Sequence, residues 1–332
     1  MGLAGGTIEC VGGGIPPAGF LRDAGIAVMP DVVPAREARA WLAGWHGERG
    51  VLRARPVPAD EAARARMLDD VAWLHSFLAR LARQDFPAPH PLPAFTGQSW
   101  TVARGQLWEL VTFIPGREVG WDSEPHLGQI GALLASYHAA ARRVPVGGQR
   151  PGVIQLADVP GILLSPRLGV ACPDPERAAV IRRLTERLAA DLENISGSPA
   201  EKIAIHGDFT THNVIADGSP PRPAGVIDFE RAHLEVPAAD IGYGLWRSGR
   251  PRQDASHLDL ARLSLFIRGY SSGAALPPQA ARALPVYLYG RGLQMIAKRV
   301  QAGLAGTGML AQVQWTAAHA AAIADTAASA LA

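Results

Sequence analysis

The sequence predicts an α+β protein that combines antiparallel strand pairs with long amphipathic helices. Two pairs of short apolar runs joined by turn residues read as hairpins, one across His46-Gly47-Glu48-Arg49-Gly50 and one across Asp217 to Ala224. Apolar residues mostly three or four apart from about Asp60 to Gln84 read as a helix, and so do Pro125 to Arg142 and Pro175 to Asn194. With 332 residues, 48% of them apolar, the chain can bury one large core or two lobes; a charged fraction of 19% is too low for a disordered chain.

In chain order, residues 1–20 are Gly-rich and read as loosely ordered or as a small preceding element. Glu37 to Trp45 and Val51 to Arg55 form the arms of the first hairpin. The helix that follows carries an inward stripe of Met67, Val71, Leu74, Phe77, Leu78 and Leu81. Trp108 to Gly116 is an apolar strand ending in Pro-Gly, and the next helix holds His138 on an apolar face, where a core role is expected. Ile203-Ala204-Ile205 is a short β-branched run that delivers His206, Gly207 and Asp208 to its open end. Val214 to Ala216 and Gly225 to Ile227 are the arms of the second hairpin, so Asn213 just before it and Asp228 just after it should lie side by side.

Asn213 follows Asp208 by five residues, the spacing of the catalytic loop of protein kinases, with Gly207 in the place of its arginine. An amide oxygen and a carboxylate at one strand end are hard ligands suited to Mg²⁺, which takes the rest of its shell from water and substrate phosphates. Asn213 and Asp228 are the expected metal ligands. Asp208 is expected to orient an acceptor hydroxyl and take its proton. A rival reading is a metal-dependent hydrolase in which His206, Asp208, His212 and Asp228 bind a transition metal directly.

His206-Gly207-Asp208, Asn213 and Ile227-Asp228-Phe229 resemble the HGDxxxxN loop and the ID-F/W/P segment of the aminoglycoside phosphotransferase and choline kinase superfamily. Asp240-Ile241-Gly242 and the Leu127-Gly128 to Tyr137-His138 helix extend the resemblance over most of the chain. It implies a two-lobed, protein-kinase-like fold, with a small antiparallel-sheet N-lobe over 1–114 and a larger, mainly helical C-lobe over 115–332. It also implies ATP or GTP as phosphoryl donor with Mg²⁺, phosphate contact by Arg53, and adenine contact by the Thr112 carbonyl and the Ile114 N–H. His206 and Asp240 would support the catalytic loop. The family's pairing glutamate aligns with Leu74 or His75, with Asp69 and Asp70 about one turn earlier, which motivates a second rival, a pseudokinase that binds nucleotide with little activity.

A formal charge of +2, 6% aromatic residues and no basic block give nucleic-acid binding no support. With no apolar run of 18 residues and no secretory pattern in MGLAGGTIECVGGG, no membrane association and a cytoplasmic location are expected. Cys10 and Cys172 read as reduced thiols. Nothing in the sequence indicates an oligomeric state. From Asp240 onward four acids face nine basic residues, which disfavours a polycationic aminoglycoside and leaves a small polar or amphoteric metabolite or antibiotic as the hydroxyl acceptor. Glu230, and Arg291, Gln294 and Lys298 on one helical face, are the candidate acceptor contacts; a solvated stripe is the alternative for the last three.

Overall fold

The structure, a computed structural model, describes residues 18–32, 39–120, 126–196, 201–251, 255–305 and 307–331. The chain divides into two compact units, one of Met1–Val71 with Pro89–Phe113 and one of Ala72–Ala88 with Ile114–Ala332. Residues 1–17, 33–38 and 121–125 lie outside the described residues, so the expectations for the Gly-rich start, Cys10, Glu37 and Pro125 are not addressed.

The first unit is built on a five-stranded antiparallel sheet in the order β1-β2-β3-β5-β4, with β1 Ile26–Val32, β2 Arg39–Trp45, β3 Glu48–Pro56, β4 Trp100–Ala103 and β5 Gln106–Thr112. The β2–β3 hairpin turns on His46 and Gly47 alone, both at positive φ, a two-residue turn whose twist matches that of the strands. On β3, Leu52 and Ala54 alternate with Val51, Arg53 and Arg55. The first two join Trp41, Trp108 and Leu110 in the core of this unit, on which Phe20 of α1 (Ala18–Asp23) also packs.

The second unit is mainly helical. Its core takes in Leu74, Phe77, Leu78 and Leu81 from the later turns of α2 (Glu61–Leu81); of the rest of the predicted stripe Val71 is buried and Met67 half-buried. Further helices are α3 Leu127–Arg142, α4 Val159–Leu163, α5 Arg167–Ala171, α6 Pro175–Ser196, α7 Pro237–Ser248, α8 Leu260–Ser271, α9 Pro278–Gln301, α10 Leu310–Ala318 and α11 Ala320–Ser329. Two small antiparallel sheets carry the site: β7 Ile203–Ile205 with β10 His233–Glu235, and β8 Val214–Asp217 between β6 Arg117–Glu118 and β9 Arg222–Val226. No helix among the described residues is long and apolar enough to cross a membrane.

Helices α3 and α8 meet backbone to backbone: a Cβ built on Gly269 would sit 1.9 Å from the Gly128 carbonyl oxygen. Gly269→Ala is therefore expected to cost about 1–3 kcal/mol, because neither backbone can give way cheaply. Urea denaturation measures it, and an unchanged midpoint would contradict this contact.

Candidate functional site

Strand β7 ends at Ile205, and after His206 the chain turns at Gly207, whose φ of +75° places its missing side chain against the Arg231 backbone. A Cβ there would lie 2.3 Å from the Arg231 carbonyl oxygen, which explains why glycine stands where protein kinases place arginine. The His206 ring ties the two halves of the motif together. Its Nε2 donates to the Ile227 carbonyl at 3.0 Å and its Nδ1 accepts from the Asp208 N–H at 3.2 Å.

The hairpin pairs as expected. Val214 opposes Val226, the Ile227 N–H donates to the Asn213 carbonyl at 2.8 Å, and Asp228 follows directly with the left-handed φ of 66°. Asn213 and Asp228 therefore share one strand end. A non-glycine residue at such a φ costs about 1 kcal/mol or more and persists where the surroundings over-determine it. The Asn213 amide Nδ2 donates to the Asp208 carbonyl at 2.9 Å, which leaves Oδ1 as the acceptor end of that side chain.

Asp240, in α7 and fully buried, braces the loop. Its carboxylate accepts from the His206 N–H at 2.8 Å, the Gly207 N–H at 2.9 Å and His138 Nε2 at 3.1 Å. Burial alone would raise its pKa; the His138 hydrogen bond and the backbone N–H of His206 outweigh that and hold it below the ordinary carboxylate value. Burial in turn lowers His138, so its ring is neutral, with Nε2–H on Asp240 and Nδ1 accepting from the Tyr270 hydroxyl at 2.9 Å. His138 is thus the satisfied core residue that its helix face suggested. Arg150 was not anticipated. It is buried and donates to the Phe229 and Ala232 carbonyls at 3.1 and 3.2 Å, fastening the segment after Asp228.

Asp208 is gripped by two cations. Arg291 Nη2 donates to Oδ1 at 3.0 Å, and Arg231 Nε stands 3.6 Å from Oδ2. Burial pushes the Asp208 carboxyl up, but Arg291 and then Arg231 pull harder, and the net pKa is below the usual carboxylate range. Arg291 is itself buried, with Nη1 on Gln294 Oε1 at 2.6 Å and its guanidinium over the Tyr243 ring at 5.0 Å; Gln294 Nε2 in turn donates to the Ile154 carbonyl at 2.6 Å.

Of Arg291, Gln294 and Lys298, expected on one helical face, the first two are buried and fixed, whereas Lys298 is exposed near the end of α9. Residues seven apart share a helix face but sit about 10 Å apart along the axis, so a shared face does not mean a shared depth. Glu230 is half-buried in the short turn after Asp228. Arg231 could have been flagged from sequence, as the basic residue two positions after Ile227-Asp228-Phe229.

A direct transition-metal site on His206, Asp208, His212 and Asp228 does not form. Both His206 ring nitrogens are engaged, Asp208 faces arginines, and among the described residues no three His, Cys, Asp or Glu side chains are grouped to hold a metal. Asn213 with Asp228 offers one amide oxygen and one carboxylate, a donor set that fits magnesium completed by phosphates and water.

In the first unit, Arg53 lies opposite Glu109 in the β3–β5 register, and Arg55 Nε stands 3.2 Å from the carboxylate of the buried Glu109. Glu109, a strand residue, escaped the sequence reading, which looked for an acid on the helix. Thr112 ends β5, its N–H on the His90 carbonyl at 2.9 Å, while the Phe113 N–H turns to the Arg49 carbonyl at 2.9 Å. The peptide groups of Thr112 thus face away from β3. Ile114 opens the second unit.

A family model described as "APH: Phosphotransferase enzyme family" matches residues 33–276. Among curated relatives, a homoserine kinase of Methylorubrum populi is 26% identical over 242 residues, spanning 70% of this chain and 69% of its own. Two solved structures share the fold. A microcompartment-associated aminopropanol kinase aligns with a TM-score of 0.66 at 18% identity, over 91% of this chain and 94% of its own. An amicoumacin kinase in complex with AMP-PNP, Ca²⁺ and Ami aligns with a TM-score of 0.64 at 15% identity, over 93% and 92%.

Proposed function

Because the chain belongs to the phosphotransferase enzyme family, we propose that it transfers the γ-phosphoryl group of ATP or GTP to a hydroxyl of a small polar metabolite or antibiotic, with Asp208 as the catalytic base. The observation that carries this reading is the clamp at His206, which binds the Asp208 N–H on one side and the Ile227 carbonyl, next to Asp228, on the other. It sets the acidic groups of the loop and the hairpin in one fixed frame, as phosphoryl transfer by positioning requires.

Asp208 orients the acceptor hydroxyl and receives its proton. Held acidic by Arg291 and Arg231, it is a poor proton acceptor from a resting alcohol, so orientation is the larger part of its work until the oxygen has begun to bond to phosphorus. Asn213 and Asp228 would hold Mg²⁺, which would supply charge neutralisation to the transferring phosphoryl group. Arg53 contacts the phosphates, and the Thr112 carbonyl and Ile114 N–H contact the adenine edge. The homoserine kinase relative and the aminopropanol kinase neighbour direct the first acceptors to test, namely homoserine and aminopropanols.

A coupled ADP-release assay with Mg²⁺ over hydroxylated metabolites and antibiotics tests the reading. Acceptor-dependent release that EDTA abolishes is expected; nucleotide binding without release from any acceptor would favour the pseudokinase instead. Asp228→Ala is expected to weaken Mg²⁺-dependent nucleotide binding. Titration of the variant with AMP-PNP checks it, and an unchanged affinity would remove Asp228 from the metal.

A further inference from the structure

Two guanidinium groups stand at one catalytic carboxylate, and they are not equivalent. Arg291 is committed: it is buried, bonded to Asp208 and Gln294, and stacked over Tyr243. Arg231 is not. Only its Nε addresses Asp208, at 3.6 Å; its side chain is 31% exposed, and among the described residues no other acid pairs with it. One negative charge thus meets two positive ones, and the surplus cation is the accessible member, with a planar fork free to take a carboxylate on two nitrogens. An ammonium-bearing acceptor placed against Asp208 would meet that fork as a like charge, whereas a carboxylate would complete the charge balance.

We propose, resting on the phosphotransferase reading, that Arg231 binds a carboxylate of the acceptor, which is therefore a small hydroxy acid with the carboxylate a short chain away from the hydroxyl at Asp208. Arg231 is then the residue that selects the acceptor.

The test is steady-state kinetics on matched pairs, L-homoserine with its carboxamide and 4-hydroxybutyrate with its carboxamide, alongside 1-amino-2-propanol, choline, sugars and aminoglycosides. The wild type is expected to prefer the carboxylate member by roughly 10- to 100-fold in kcat/KM, the value of a charge-assisted hydrogen-bonded pair. Arg231→Gln is expected to erase that preference through a higher acceptor KM, with the KM for ATP unchanged, and Arg231→Lys to restore part of it.

Preferential turnover of uncharged or cationic acceptors would overturn the inference and leave the kinase reading standing. A fall in kcat that is the same for every acceptor would place Arg231 on the transferred phosphoryl group and overturn it too. Turnover of no acceptor of any class would remove both proposals together.

Discussion

Asp208→Asn is expected to lower acceptor-dependent turnover by about 10²- to 10⁴-fold, the usual contribution of a positioned base, while nucleotide affinity stays close to that of the wild type. Asparagine keeps the shape but cannot take a proton. The same change should also destabilise the fold, which is unusual for a catalytic residue, because Arg291 is buried and Asp208 is its acid partner at 3.0 Å. Adding Arg291→Met removes the stranded cation, so the double variant should lose less stability than the two single losses combined. Denaturation of the four proteins in the cycle measures this, and strict additivity would mean that the ion pair has no energetic reality. The pH dependence has a definite sign. The folded-state pKa of Asp208 is depressed, so its stabilising contribution is present above the unfolded value of about 3.9 and is lost as pH falls through the lower folded value.

Asp240→Ala is expected to produce the largest loss of stability, about 3–5 kcal/mol, the range found when one partner of a buried charged network is removed. The His206 and Gly207 N–H groups and His138 Nε2 all donate to this one carboxylate. Alanine would leave them buried without an acceptor, next to the base, so activity should fall with stability. Asp240→Asn is expected to recover little, since an amide nitrogen would be turned toward at least one donor. Chemical denaturation with a parallel ADP-release assay tests the linkage; a variant that stays stable and loses only activity would show that Asp240 acts on the reaction rather than on the loop. The pKa of Asp240 is also depressed, so acid titration should remove its contribution below the ordinary carboxylate range, in step with that of Asp208.

Much of the molecule was legible because the relevant geometry is local. Strand β7 was read at the residues it occupies, the arms of the β8–β9 hairpin within three, and the stripe on α2 is buried over the later turns of the helix. The chain also belongs to the family that the HGD and IDF motifs resembled. Of the strands that were missed, β1 and β4 are the two edges of the first sheet, β6 is two residues long and β10 three; such strands lack the burial on both sides that marks a central strand in a sequence.

What only the tertiary structure decided is which charges meet. Asp208 and Arg291 are 83 positions apart, and no periodicity or motif announces their pairing; His206 and Asp240, 34 apart, were linked only through the family resemblance. Sequence determined the backbone of the loop and the hairpin, because turn chemistry and antiparallel register act between neighbours. The surplus cation beside Asp208 and the depth of α9 in the fold follow from how distant helices pack, and burial, not chain position, sets the strength of a charge.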